Sequence, residues 1–516
     1  SVYMSVCQAV NGSGGWPLTI IMTPDQHPFF AATYLPLNTR GQTPGLLQIL
    51  RQVAGQWQEN PDRLRQAGTA VTRFLSEQAN QSRDSGQEGQ APWPDREILR
   101  RAASHFLQTF DQEWGGFGQA PKFPSPHNLL FLLAYGRLEQ NRAAEYMAAQ
   151  TLFSMMRGGI FDHIGGGFSR YSTDRQWMIP HFEKMLYDNA MLAIAYLECW
   201  RQTGADWCLW TACRIFTYVF RELTGEEGEF YCGQDADSEG EEGKYYSFRP
   251  EEILMLLGQQ RGEAFCTRYG ITAEGNFQGS SIPSLLGESQ PWLPDPDTEA
   301  DREKIYRYRL NRYPLHKDDK ALASWNSLML LACARGISAA RRLPREQAGI
   351  LAACRERTDR CLRFLRRRLV TPEGRLITRY RDGQSAGDGH LDDYAFYTLA
   401  LLELYAAEFD VKLLEEACRT AQLMVKYFFD QKEGGFYLYA SDSEQLICRP
   451  KDTWDGAMPS GNSAAAMVLC RLSALTALPE WTELRDRQIR FLTREAQAIP
   501  SGFSFSLLAM TEVLYP

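Results

Sequence analysis

The sequence predicts a mainly α fold, an (α/α)6 toroid preceded by a smaller α/β segment. Three observations carry that expectation. From about Asp95 onward apolar residues recur at helical spacing, as in Leu129, Leu132, Leu133 and Tyr135, or Leu399, Leu402 and Tyr405. Between those stretches a Gly-aromatic signature returns: Gly115-Gly116-Phe117, Gly166-Gly167-Phe168, Gly228-Glu229-Phe230, Gly434-Gly435-Phe436 and Gly502-Phe503, with a weaker copy at Gly374-Arg375-Leu376. Its steps of about 50 to 67 residues, with one gap of about 145, give roughly six helical hairpins. Third, the polar motifs stand where loops run into helices. A closed ring gives them a common centre; an open solenoid would not.

Taken in order, residues 1–80 read as half of a small α/β domain. Gly14-Gly15-Trp16-Pro17 leads into a strand over Leu18–Thr23, Pro24-Asp25 make a turn, a second strand runs from Phe29 to Tyr34, and a helix follows from about Pro44 to Glu59. Residues 81–95 are polar and rich in Gly and Pro, the composition of a linker. The toroid is expected over 96–516. An insertion at about 240–320 accounts for the long gap and contains the Pro- and Gly-rich run from Pro283 to Asp297.

Composition narrows the function. Hydrophobic residues make up 44% and charged residues 23% of 516, as in ordinary globular proteins, and the net charge of -8 lacks the basic footprint of a nucleic-acid binder. No apolar run is long enough for a membrane span, and no signal segment is visible at the start. The 12 cysteines contain no CxxC pair, so buried reduced thiols and a cytoplasmic setting are expected. No metal or cofactor is implied. His181-Phe182-Glu183-Lys184-Met185 fails the zinc pattern at Met185, and the calcium-like Asp235-Ala236-Asp237-Ser238-Glu239-Gly240 fails where Tyr246 replaces the closing Glu.

The chemistry-bearing residues fall in five groups. His181, Glu183 and Asp188 surround the start of a helix, and His is the natural proton carrier near neutral pH. Asp235 and Asp237 lie beside Gly240 and could hold hydroxyl groups. Lys320, Trp325 and Asn326 combine a cation, an aromatic face and an amide, a set that suits a sugar ring. His390, Asp392, Asp393 and Tyr394 open another helix, with His390 and Asp393 expected to face the ring centre. Asp455 and Asn462 flank a Ser-rich helix start, where capping is the plainer role.

The segments from Gly14 to Pro36, Gly115 to Pro124, Gly165 to Ala190 and Asp235 to Tyr246, with Leu391–Ala395 and Asp455–Ser463, together resemble the thioredoxin-domain-containing family that includes the spermatogenesis-associated proteins. That resemblance implies a partial thioredoxin-like N-terminal domain joined to a toroid similar to six-hairpin glycosidases and N-acylglucosamine 2-epimerase. It also implies a Cys motif upstream of Trp16-Pro17. This chain starts at Ser1, beyond that motif, so thiol–disulfide exchange is not assigned, and Cys7 lacks a resolving partner.

The functional expectation is a carbohydrate-active toroid of epimerase or isomerase type. His181 and His390 would move a proton beside a sugar carbonyl, Asp188 and Asp393 would orient them, and Glu183 would assist. Asp235, Asp237, Trp325, Asn326, Lys320, Asp392, Tyr394, Asp455 and Asn462 would bind the substrate. Two alternatives stand beside it. One is glycoside hydrolysis by paired carboxylates, Asp235 or Asp237 with Glu183 or Asp393. The other is a non-catalytic toroid that binds a ligand or partner and is attached to a redox domain.

Overall fold

The computed structural model describes residues 2–81, 92–288, 293–444 and 446–515. They form two compact units, one of residues 1–90 with 430–433 and 437–452, the other of 91–429 with 434–436 and 453–516. Of the expected linker, residues 82–91 lie outside the described residues.

In the first unit, helix α1 (Val2–Asn11) precedes a hairpin of β1 (Thr19–Met22) and β2 (Pro28–Ala32), paired from Thr19 opposite Ala32. Helices α2 (Leu46–Glu59) and α3 (Pro61–Gln81) follow. Val6 and Cys7 of α1, Ala31 of β2 and Leu75 of α3 make its core. The strands and α2 lie where the alternating and helical patterns place them. Helix α1 has too little sequence around it for its Val2–Val6 spacing to be read as a helix.

The second unit is the ring. Outer and inner helices alternate along the chain: α4 (Arg96–Thr109), α5 (Pro126–Leu138), α6 (Arg142–Arg157), α7 (Leu186–Thr203) and α8 (Asp206–Glu222). An insertion then adds α9 (Pro250–Leu257), α10 (Gln259–Tyr269) and α11 (Pro296–Arg312). Alternation resumes with α12 (Ala323–Ala340), α13 (Cys354–Arg368), α14 (Leu391–Glu408), α15 (Val411–Phe428), α16 (Gly461–Thr476), α17 (Pro479–Ala496) and α18 (Ser504–Leu514). Helix α5 packs on α7, α7 on α12, α12 on α14, α14 on α16 and α16 on α18, and α18 returns to α5. Six inner helices thus close the ring.

Residue type separates the two layers. The outer helix α15 buries one stripe, Leu413, Ala417, Thr420, Ala421 and Met424, and leaves the other face to water. The inner helix α7 is buried almost all round, and α16 carries Ala464, Ala465 and Ala466, whose small side chains let neighbouring backbones approach. Short antiparallel sheets knit the loops that lead into inner helices. They are β3 (Tyr171–Ser172) with β4 (Pro180–His181), and β5 (Lys184–Met185) with β6 (Gly233–Gln234) and β9 (Lys317–Asp318). The others are β7 (Asp237–Ser238) with β8 (Glu241–Glu242), and β10 (Ala321–Leu322) with β11 (Ile377–Arg381) and β12 (Gln384–Asp388).

Candidate functional site

The Gly-aromatic repeats are the loops that feed the inner helices, and buried amides hold them. Asn189 accepts from the Phe168 N–H at 2.8 Å and donates to its carbonyl at 3.0 Å. Asn326 does the same for Phe230, at 2.7 and 2.9 Å, and Asn462 for Phe436, at 2.8 Å each way. In the weaker repeat the Tyr394 hydroxyl accepts from the Leu376 N–H at 3.0 Å. All four side chains are fully buried. Asn326, Asn462 and Tyr394, expected to bind substrate, are therefore committed to backbone inside the fold, which corrects that reading. At Gly167 the left-handed backbone, φ +77°, passes so close to Tyr218 that a Cβ would lie 2.4 Å from its ring.

Buried lysines lock two of these loops. Lys122 donates to Asp111 and to the Gly115 carbonyl, each at 2.7 Å. Lys184 repeats the arrangement with Asp162 at 2.7 Å and the Gly166 carbonyl at 2.8 Å. Burial alone would raise the Asp162 carboxyl, but Arg309 and Lys184 hold it well below the usual range.

His181 sits beside Glu183 and Glu242, with Arg170 on the far side of Glu183. Its Nδ1 is 2.8 Å from Glu242 and its Nε2 3.6 Å from Glu183. Tyr171, its partner across β3 and β4, stacks on the imidazole with ring centres 5.1 Å apart. Glu183 in turn receives Arg170 at 3.0 Å. The carboxylates of Glu183 and then Glu242 raise the imidazole above its ordinary value, against a downward pull from burial. The imidazolium lowers Glu183 correspondingly.

Asp188, in the first turn of α7, is buried, and its Oδ2 has no hydrogen-bond partner. Burial pushes this carboxyl well above its ordinary value, against a downward pull from Arg170 and Tyr187. Beside it Tyr187 meets Trp325 of α12 edge-on, with ring centres 4.8 Å apart. The start of α7 thus brings together His181, Glu183, Asp188 and Trp325 of the expected set. It adds Arg170, Tyr171, Tyr187 and Glu242, which the sequence reading did not assign.

The remaining expected residues lie elsewhere. His390 is an exposed cap of α14, 3.4 Å from the Thr378 hydroxyl. Asp393 is buried, accepts from the N–H groups of His390 and Ser324 at 2.9 and 3.0 Å, and is raised by burial. It joins the starts of α12 and α14. His181 lies on β4 ahead of α7 and His390 caps α14, with α12 packed between those two helices, and among the described residues the expected pair of imidazoles has no shared hydrogen-bond or ion-pair partner. Asp235 and Asp237 are exposed on the hairpin that carries Glu242, with Asp237 paired opposite it. Lys320 pairs with Asp318 at 3.0 Å. Asp392 lies against Gly461, where a Cβ would come within 2.3 Å of its Oδ1. Asp455 accepts from the Ser460 and Phe505 N–H groups, both at 2.8 Å, and burial pushes it up to about 6. It ties α16 to α18, a structural task in place of the expected ligand contact.

Below the helix starts the ring encloses a cavity of about 360 Å³. Its floor is apolar, with Met191, Leu331, Leu399 and Met467, and its far mouth carries Arg137, Arg201, Arg335, Glu403, Arg471 and Glu512. Glu403 there receives Arg335 at 2.8 Å and also Arg471. Counting back along each stripe by helical steps, Asp188 stands above Met191 on α7, and His127 stands above Leu130 on α5. His127 is fully buried with an unpartnered Nδ1, and burial lowers it to about 4. Its neighbours Pro126 and Asn128 gave no sequence signal beyond the helical register. Among the described residues no group of three His, Cys, Asp or Glu is placed to hold a metal ion, and no helix is long and apolar enough to cross a membrane.

The family described as Thioredox_DsbH, a protein of unknown function (DUF255), matches residues 1–76. Spermatogenesis-associated protein 20 of Homo sapiens is 34% identical over 532 residues, covering 93% of this chain and 66% of the human protein. Its Mus musculus counterpart is 33% identical over 530 residues, with the same coverage of 93% and 66%. The chain therefore spans 66% of the length of these relatives. Among solved structures, a D-mannose isomerase has a similar fold, with TM-score 0.50 and 13% identity, over 81% of this chain and 96% of that one. With its thioredoxin-like start and six-hairpin ring, the chain belongs to the thioredoxin-domain-containing family that includes the spermatogenesis-associated proteins.

Proposed function

We propose that the ring performs acid–base catalysis on an open-chain sugar at the mouth where its inner helices begin, moving a proton beside a carbonyl group. One observation carries the reading: an imidazole anchored through Nδ1 to Glu242 stands on the segment that leads to Asp188, a buried carboxyl raised by burial whose Oδ2 has no hydrogen-bond partner. Anchoring Nδ1 leaves Nε2 as the base, the division of labour that a carboxylate imposes on histidine. His181 takes the proton from C2, the C–H electron pair becomes the C1–C2 double bond of an enediol, and Asp188 gives its proton to the carbonyl oxygen. Return of the proton to C1, with the O2–H proton passing to the Asp188 carboxylate as C2=O forms, isomerises the sugar; return to the opposite face of C2, with the O1–H proton passing back to Asp188, epimerises it. Trp325 offers the aromatic face against which a sugar would lie.

The sugar class follows the activity of the D-mannose isomerase with the similar fold; the residue roles rest on this chain's own geometry. A buried acid here replaces the second histidine that the sequence suggested. Paired-carboxylate hydrolysis has less support, because Glu183 is engaged by Arg170 and the imidazole, while Asp235 and Asp237 stand on an exposed hairpin.

The test is proton exchange in heavy water with a panel of free aldoses and ketoses, followed by NMR. Deuterium should enter at C2 and should disappear with His181→Asn. The neutral imidazole is the active form, so kcat/KM should rise with pH through a value above the ordinary histidine pKa of ~6.5. Glu242→Gln removes a stabilising anion and should move that limb to lower pH. A folded protein that exchanges no sugar in the panel would end this reading.

A further inference from the structure

Helices α8 and α11 meet through one pattern written twice. Arg214, Tyr218 and Arg221 lie at i, i+4 and i+7 of α8, and Arg302, Tyr306 and Arg309 at the same spacing on α11. Each triplet therefore shares one helix face. Arg221 stacks on Tyr306 with its guanidinium carbon 3.4 Å from the ring centre, and the Tyr306 hydroxyl bonds Glu222. Against them lies the turn from Asp162 to Gly166. Arg309 grips Asp162 through two bonds of 3.0 and 2.8 Å, Arg221 donates to the Gly165 carbonyl at 2.7 Å, and Arg214 to that of Ile164 at 3.3 Å.

Charge at this junction does not balance. Five cations, Arg214, Arg221, Arg302, Arg309 and Lys184, face three acids, Asp162, Glu222 and Glu299, an excess of two. At the rim Lys317 on Glu222 and Glu303 near Arg221 add one charge of each sign and cancel. Arg302 is 5% exposed; its Nη2 pairs with Glu299, but its Nε and Nη1 have no hydrogen-bond partner, and neither has the Nε of Arg214. Burial and then mutual repulsion push Arg302 down to about 9, and burial with Arg221 pushes Arg214 to about 10, yet both remain cations at neutral pH. A guanidinium cannot relieve such crowding by losing its proton as a buried lysine can. Unpaired buried charge is among the costliest arrangements in a protein.

We propose that these side chains form an oxyanion site, in which a phosphate-class anion binds among Arg214, Arg221 and Arg302 and clamps the insertion helix α11 to the ring helix α8. A tetrahedral oxyanion matches converging guanidinium groups better than a spherical ion does, because each fork can donate in parallel. Arg214 and Arg221 are only partly buried.

Titration of the full chain with sodium phosphate, against sodium chloride at equal ionic strength, tests the site by calorimetry and thermal melting. Phosphate should bind saturably and raise the melting midpoint where chloride does not. Arg302→Met should weaken phosphate binding about tenfold, the loss expected for one charge-assisted contact, and should melt no lower than the parent in phosphate-free buffer. Arg214→Gln, at a more exposed position, repeats the binding test should the first variant fail to fold. Glucose 6-phosphate separates the sources: equal affinity identifies an ester ligand, and much weaker binding identifies the free ion. An equal response to chloride, no response to phosphate, or unchanged phosphate affinity in both variants would overturn the assignment.

Discussion

A buried side-chain amide must satisfy both its donors and its acceptor where it sits, and at Asn189, Asn326 and Asn462 the N–H and C=O of a single residue do most of that work. Removing the amide strands two buried backbone groups at once. Asn326→Ala should therefore lose about 3 kcal/mol of stability in urea unfolding, since each orphaned group costs roughly 1–3 kcal/mol. A loss below about 0.5 kcal/mol, the usual size of a surface effect, would contradict the clamp. The same residues show where sequence reading stops. An asparagine next to a tryptophan at a helix start looks alike whether it faces a sugar or a peptide group; only the loop's path decides. His181 was legible because its polar neighbours are local in sequence, whereas Asp188 was legible as a polar residue but not as an unpartnered one.

Among the elements, the hairpin of β7 and β8 matters most to the candidate site. Glu239 and Gly240 both have positive φ, +54° and +80°, the type I′ turn that suits two-residue hairpins. That turn fixes Asp237 opposite Glu242 and delivers Glu242 to the imidazole. Gly240→Val meets no neighbour within 4 Å, so its effect is conformational strain of about 1–2 kcal/mol on a marginal hairpin. As the hairpin frays, the His181 pKa should fall toward its unperturbed value, which an NMR titration of the imidazole would follow; an unmoved titration would separate the turn from the site. The acidic run from Asp235 was visible in the sequence, but its acids were weighed as ligands while the useful one, Glu242, lay beyond the turn. Reading the Glu-Gly pair as a turn would have exposed the pairing. The helices were easier, because burial on one side or on all sides leaves a compositional imprint over many residues.

For the whole molecule, the returning Gly-aromatic loops gave both the number of hairpins and the argument for closure, and the contact of α18 with α5 completes that closure. Which lumen residues would stay unpaired was not legible, since that depends on five other helices. Ring closure also makes stability collective. Ending the chain before Ser504 removes α18 and lays bare the faces of α5 and α16 that it covers. The truncated protein should lose its cooperative melt and aggregate, as seen by circular dichroism and gel filtration; an unchanged transition in a soluble monomer would show that the ring tolerates an open seam. Because the charged mouth of the cavity is built from the later halves of the inner helices, at Arg137, Arg201, Arg335, Glu403, Arg471 and Glu512, those helices all begin at the opposite mouth. Their peptide dipoles consequently point one way, each equivalent to roughly half a charge at either end. The barrel is thus an electrically polarised tube: its starting mouth draws electron-rich oxygens inward, and the arginines at the other mouth answer the carbonyl ends.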